Sequence, residues 1–343
     1  MQRKRKALYL LLSVVLSIVL IYLLLKQVSA AELVSALKNL YYPSVFLYIL
    51  LALSGAGLRA WRYRLLLQPQ EISWPRILMV TFIKNSLIDL LPARIGSLSY
   101  IYLLNRRLGI PFEPVTSSFV AAFLLDFITL SPFLLISIGV VGLGVDPVAS
   151  PVVMAVALAF LLLVLGLYTW VGLAARLVFR VYQSIGYRLT RGQKLWFVHS
   201  LEKFKQTILA LEQTRRHRAT WLIFVLSFLV RLAKYGSLFF LLHSLLRSYG
   251  FNLNQLSFWR LILGTSGAEL TSAMPVKGIA GFGTWESAWA LTFRLMGSEP
   301  RLAIISGLGV HFITNLFEYS LGIGSLFLLA LPRFRKNENP RRG

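Results

Sequence analysis

The residues able to do chemistry in this chain are charges and glycines set inside apolar runs. Thr271-Ser272-Ala273-Met274-Pro275-Val276-Lys277-Gly278-Ile279-Ala280-Gly281-Phe282-Gly283-Thr284-Trp285-Glu286 lies between two such runs and reads as a broken helix. Pro275 removes a backbone donor, and Gly278, Gly281 and Gly283 tolerate positive φ. A helix arriving from about Leu261 therefore stops here and another restarts near Thr284, the expected N-cap. Glu286 falls in the first turn of the restart, where the helix dipole favours a carboxylate. Free N–H groups at such a restart, with Lys277 beside them, form an anion site.

A second interrupted stretch, Ile77 to Leu104, is apolar except for Lys84-Asn85, Asp89, Pro92, Arg94, Gly96 and Ser97. Its tip, Leu91-Pro92-Ala93-Arg94-Ile95-Gly96-Ser97, follows the order of Met274-Pro275-Val276-Lys277-Gly278: apolar residue, proline, small or apolar residue, base, then glycine within two positions. The expected substrate contacts are Asn85, Arg94, Gly96, Ser97, Arg231, Lys234, Lys277, Gly278, Gly281, Gly283 and Thr284. Glu286, Asp126 and Asp89 are the expected proton or ion carriers. Charges inside a membrane are functional candidates by default, and Glu269, His311 and Glu318 share that depth. For Asp126 and Glu318 the alternative is mutual pairing within the bundle. His311 reads as a satisfied buried histidine rather than a proton carrier. Arg231 and Lys234 lie too deep for easy snorkelling and are expected to face the cavity. The four histidines are scattered without metal-ligand spacing, so no metal is expected, and the absence of cysteine excludes thiolate chemistry.

These residues need elements to hold them, and composition says which. With 57% apolar and 14% charged residues in 343, the chain is an integral membrane protein rather than a soluble domain. Leu8 to Leu25, Val152 to Leu173 and Leu302 to Leu331 are each long enough to cross a hydrocarbon core of about 30 Å. The first of these is read as a retained span, with a signal peptide ending near Val28-Ser29-Ala30 as the alternative. The net charge of +23 would suggest nucleic acid in a soluble protein; here it marks cytoplasmic loops, and no nucleic acid is expected. Arg3 to Lys6 and the basic tail after Leu331 put both termini in the cytoplasm of a multi-pass cell-membrane protein. Ala31 to Leu40 reads as a short interfacial helix. Arg59-Ala60-Trp61-Arg62-Tyr63-Arg64, after a span ending at Leu58, reads first as an interfacial anchor, with direct headgroup contact as the alternative. Residues 174–219 form a basic, amphipathic cytoplasmic linker.

The expected fold is an all-α polytopic membrane protein forming one transmembrane domain over residues 1–343. Residues 43–142 read as span, broken hairpin, span, starting outside; residues 221–331 read as the same unit starting inside. This inverted repeat, with two re-entrant helical hairpins, points to a binding site near the midplane. Among walls of Phe, Leu, Ile and Trp, an anion site suits a phosphate carrying acyl or prenyl tails.

Arg59-Ala60-Trp61-Arg62 before Leu65-Leu66-Leu67, then Asn85, Leu91-Pro92-Ala93-Arg94-Ile95-Gly96, Leu108-Gly109-Ile110 and Asp126, resemble the membrane-embedded domain of lysylphosphatidylglycerol synthetases and its stand-alone flippase-like relatives. Pro275, Gly278, Gly281, Gly283 and Glu286 resemble that family's second signature. The chain departs from it at Ser97, where the family usually has Glu, and at Ala122 or Phe123, where it has Arg. That puts substrate or coupling ion in question and leaves the architecture intact. No room is expected for the synthetase's soluble domain after Leu331. The resemblance implies movement or binding of lipids.

The expected function is translocation of a phospholipid or polyprenyl-phosphate lipid between leaflets. No phosphate-cradling Gly-rich Lys-Ser/Thr loop is present, so no nucleotide or other cofactor is expected, and the partners are anionic membrane lipids. The alternatives are an integral-membrane transferase acting on a lipid phosphate, and a non-catalytic subunit working with a glycosyltransferase or lipid-modifying enzyme.

Overall fold

The computed structural model describes residues 2–142, 158, 159, 162, 166, 180, 219–271, 274 and 277–331. The expected span over 151–173, the linker and the basic tail lie outside the described residues, apart from those isolated positions. Among the described residues every regular element is helical. The main helices are α1 (Gln2–Leu25), α2 (Ala30–Lys38), α3 (Tyr42–Leu66), α4 (Trp74–Leu90), α5 (Ser99–Tyr102), α6 (Phe112–Gly142), α7 (Thr220–Leu246), α8 (Phe258–Leu270), α9 (Thr284–Leu295) and α10 (Pro300–Ala330). Of these, α3, α6, α7 and α10 are long and apolar enough to cross a membrane, which makes this a multi-pass membrane protein.

Local chemistry sets most of the ends. Pro43, Pro75 and Pro300 sit at the first or second positions of α3, α4 and α10, where a missing N–H costs nothing. Ser29 and Glu32 form a reciprocal capping box on α2, which bends away from α1 by 83°. The short helix expected over 31–40 is α2, and Arg301 at the start of α10 pairs with Glu32.

Close helix contact comes from small residues. The antiparallel helices α3 and α7 form the central pair, with the Tyr41 N–H donating to the Ser244 carbonyl at one end and Gly55 packed on Ala233 further along. The broken segments then pack crosswise. Helix α4 lies against α10, where Gly322 takes the Ser86 side chain, and α8 lies against α6. Helix α8 also packs on α9, with Gly264 against Phe293 and Gly267 against Thr292, so the chain reverses between them. One apolar core gathers the end of α3 with α4, α5 and the start of α6; a second gathers α2, the end of α7, α8, α9 and α10.

Candidate functional site

The first broken segment ends α4 at Leu90, and Leu91 is extended (ψ 143°), as a residue before proline must be. Pro92–Leu98 then form a tight 3₁₀ turn that folds back on α4. A methyl group on Gly96 would run into the Leu87 carbonyl, so this glycine is set by close backbone approach. Asp89 lies in the last turn of α4, and Arg94 and Ser97 lie in the 3₁₀ turn.

The second broken segment follows the expected course in part. Helix α8 ends at Leu270 and α9 restarts at Thr284, with Glu286 in its first turn. The N-cap, however, is Gly283 and not Thr284, because φ is 86° at Gly283 while Thr284 already has helical geometry and gives its hydroxyl to the Gly281 carbonyl. Gly281 (φ 81°) and Gly283 use the left-handed region; Gly278 (φ −58°) does not. Ala280 takes a positive φ of 52° instead, while Gly278 is needed because a side chain there would strike the Phe282 carbonyl. Lys277 is buried beside this loop. We expect Gly96→Ala and Gly278→Ala each to cost about 3 kcal/mol or more, because the obstacle is backbone rather than a movable side chain. Thermal unfolding in detergent checks this, with Gly139→Ala, in open space on α6, as the control.

Helix α1 fastens the same loop: Ser17 Oγ donates to the Phe282 carbonyl (3.0 Å) and accepts the Ile279 N–H (2.7 Å). Behind it Glu286, fully buried, accepts the Gly283 N–H through Oε2 (2.7 Å) and sits 2.7 Å from His311 Nδ1 through Oε1. The imidazole is stacked on Trp285 at 4.7 Å. His311 is therefore a buried, partnered histidine, and its partner is the carboxylate expected to carry a proton.

The charges of the other half converge on Asp126. Arg62 Nη1 donates to Asp126 Oδ1 (2.6 Å) and to Ser227 Oγ (3.1 Å), and Arg231 donates to the backbone carbonyl of Asp126 (2.5 Å). Arg59 donates to Asn85 Oδ1 (3.1 Å), and Lys84 to the Tyr63 hydroxyl (2.7 Å). Arg59 and Lys84 lie within electrostatic reach of Asp126. Four formal cations thus surround one carboxylate among the described side chains. Arg62 and Lys84 are buried, whereas Arg59, Asn85 and Asp126 are half-buried and form the reachable rim.

The structure brings Asn85, Arg231 and Asp126 together, and sets Lys277, the three glycines, Thr284 and Glu286 together elsewhere. Lys234, one turn beyond Arg231, pairs with Glu269 rather than standing open to a cavity. Arg62 corrects the sequence reading. Helix α3 does not end at Leu58 but runs to Leu66, and it carries Arg62 into the bundle, so this arginine is a core ion-pair partner and not an interfacial anchor. Arg59, Lys84 and Tyr63 were likewise outside the expected site. For Arg59 and Tyr63 the signal was the spacing of Arg59, Arg62, Tyr63 and Leu66, which is one helical face; for Lys84, on α4, it was the interruption of an apolar run beside Asn85.

A helical membrane bundle with a cation cluster around one intramembrane carboxylate, and a glycine loop restarting a helix, defines the class. Residues 10–322 match the family described as the lysylphosphatidylglycerol synthase TM region, and the chain belongs to that family. No curated protein matches it. Family membership links this membrane protein to lipid handling.

Proposed function

We propose that the chain translocates a lipid with an anionic phosphate headgroup, a phospholipid or a polyprenyl-phosphate lipid, between leaflets. The observation that carries this is the excess, among the described side chains, of cations over carboxylates around Asp126, with Arg62, Lys84 and Arg231 buried and Arg59 half-buried. Unbalanced charge in a membrane bundle is costly, and an arriving phosphate supplies the missing counter-charge. It also competes with the Asp126 carboxylate for Arg62 and with the Asp126 backbone carbonyl for Arg231, so binding and release become an exchange of these partners for phosphate. Arg59 and Asn85, on the rim, are the first groups such a headgroup meets.

The crosswise packing of α4 on α10 and α8 on α6 supports an inverted repeat of residues 43–142 and 221–331, with both broken segments as re-entrant hairpins. In this reading Arg94, Gly96 and Ser97 line one tip, and Lys277, Gly278, Gly281, Gly283 and Thr284 the other. Glu286 with His311 couples movement to a proton, and Asp89 stands at the end of α4 as a second acidic candidate. Both termini face the cytoplasm of the cell membrane.

The test is fluorescent-lipid translocation in proteoliposomes, with native mass spectrometry of lipids retained by the gently extracted protein. Arg59→Gln is expected to reduce retained anionic phospholipid and translocation about tenfold to a hundredfold, the scale of a charge-assisted hydrogen bond at a partly desolvated site. Arg106→Gln, at an exposed position, is expected to change neither. Equal losses for both variants would remove the cluster's special role, and turnover of the headgroup would make the protein a transferase.

A further inference from the structure

A cavity of about 470 Å³, an open groove rather than an enclosed chamber, lies where α3 begins and α7 ends. It shares no residue with the cluster around Asp126 or with the glycine loop. Two helix ends and a short loop build it. The Tyr41 N–H donates to the Ser244 carbonyl (3.2 Å), tying α3 to α7, and Asn252 to Asn254 close the remaining side.

The polar wall is organised from the buried side outward. His243 Nδ1 lies 2.8 Å from Ser44 Oγ, both residues being buried, and the Tyr41 ring stands edge-on to His243 at 5.6 Å. Over Tyr41, with its carbon 5.8 Å from the ring centroid, lies the Arg247 guanidinium, which also donates to Asn252 Oδ1. Arg247 is exposed and is aimed by two neighbours, and among the described residues no carboxylate lines the cavity with it. The other wall is apolar: Pro43, Leu47 and Phe240 belong to α3 and α7, both long enough to cross the membrane.

We propose that this cavity is a second lipid-phosphate site, at the membrane boundary and separate from the central cluster. One oriented cation with amide and hydroxyl groups beside it matches a phosphodiester. The apolar wall continuing into two spans matches the first part of a lipid tail, from which a free phosphate would gain nothing. The volume accommodates a headgroup and glycerol, so the acyl chains lie along the outside of α3 and α7. Lipid held here is positioned at one end of the central helix pair, where it enters or leaves the translocation path proposed above; the site itself stands whether or not that path exists.

The native chain has no cysteine, so Asn254→Cys places one environment-sensitive label on the exposed rim of the cavity. Short-chain phosphatidylglycerol is titrated onto the labelled full chain in detergent, with inorganic phosphate in parallel. The expected result is a saturable response to the lipid that Arg247→Gln weakens about tenfold or more. Leu47→Trp, which fills the apolar wall without touching a charge, is expected to weaken it as well. Arg59→Gln should leave the response unchanged, which separates this site from the central one. A response to inorganic phosphate equal to that for lipid would identify a soluble-anion site and overturn the assignment. So would the absence of a saturable response, or titrations of Arg247→Gln and Leu47→Trp that overlay the parent curve.

Discussion

Replacing Arg62 with alanine is expected to destabilise the bundle by about 3 to 5 kcal/mol, the cost of removing one partner from a buried ion pair. The side chain is fully buried on α3 and bonds to Asp126 on α6 and Ser227 on α7, so it joins three helices at one point. Its loss leaves Asp126 with Arg231, which is spent on the backbone carbonyl rather than on the carboxylate. Asp126→Ala should be similarly damaging, because it leaves a guanidinium buried without its carboxylate. The double change Arg62→Met with Asp126→Leu is expected to recover only part of the loss: the apolar pair carries no desolvation penalty, but Arg59, Lys84 and Arg231 still lose the carboxylate they share. Thermal unfolding of the four proteins in detergent measures the cycle. An Arg62→Ala protein that melts with the parent would mean that the ion pair does not hold the bundle together. The same pair predicts a weaker salt dependence than a surface ion pair shows: added salt should reduce the Arg62→Ala difference only in part, because the guanidinium is buried while the Asp126 carboxylate is half-exposed.

What the sequence made legible here was local. The break after Leu270, the restart at Thr284 and the position of Glu286 follow from glycine spacing and dipole preference, which act over a few residues, and they match the structure. The crowding of Gly278 against Phe282 and of Gly96 against Leu87 depends on how the chain folds back, so it was hidden behind the φ argument for the one and had no local signal for the other. Arg62 was misplaced for a related reason. Beside Trp61 and Tyr63, at the end of an apolar run, an arginine has the composition of an interfacial anchor, and its real partners stand 64 and 165 residues away in the chain. Only the docking of α6 and α7 on α3 distinguishes the two. The same distance explains His311, whose burial was expected while its bond to Glu286 was not.

Glu286→Gln is expected to leave the protein folded and to abolish lipid translocation. The carboxylate has two bonds to keep: one oxygen accepts the Gly283 N–H that starts α9, and the other meets His311 Nδ1. A glutamine can satisfy both, its carbonyl oxygen accepting from Gly283 and its amide donating to Nδ1 of the histidine tautomer that carries its proton on Nε2. The expected stability cost is therefore about 1 kcal/mol, one neutral hydrogen bond replacing a charge-assisted one. Glu286→Leu is different, because the Gly283 N–H loses its acceptor in a buried loop and His311 loses its partner, at about 1 to 3 kcal/mol for each group left unsatisfied. These two variants separate structure from coupling. Glutamine preserves shape and removes the titrating group, so if the Glu286 and His311 pair exchanges a proton as a lipid phosphate arrives, translocation stops while unfolding stays near the parent. Parent translocation should then vary with pH, and the residual rate of the Gln variant should not. The measurement is fluorescent-lipid translocation in proteoliposomes across pH, paired with thermal unfolding of the parent, the Gln variant and the Leu variant. A parent rate that is flat with pH, together with an active Gln variant, would leave Glu286 as the residue that starts α9 and holds the glycine loop.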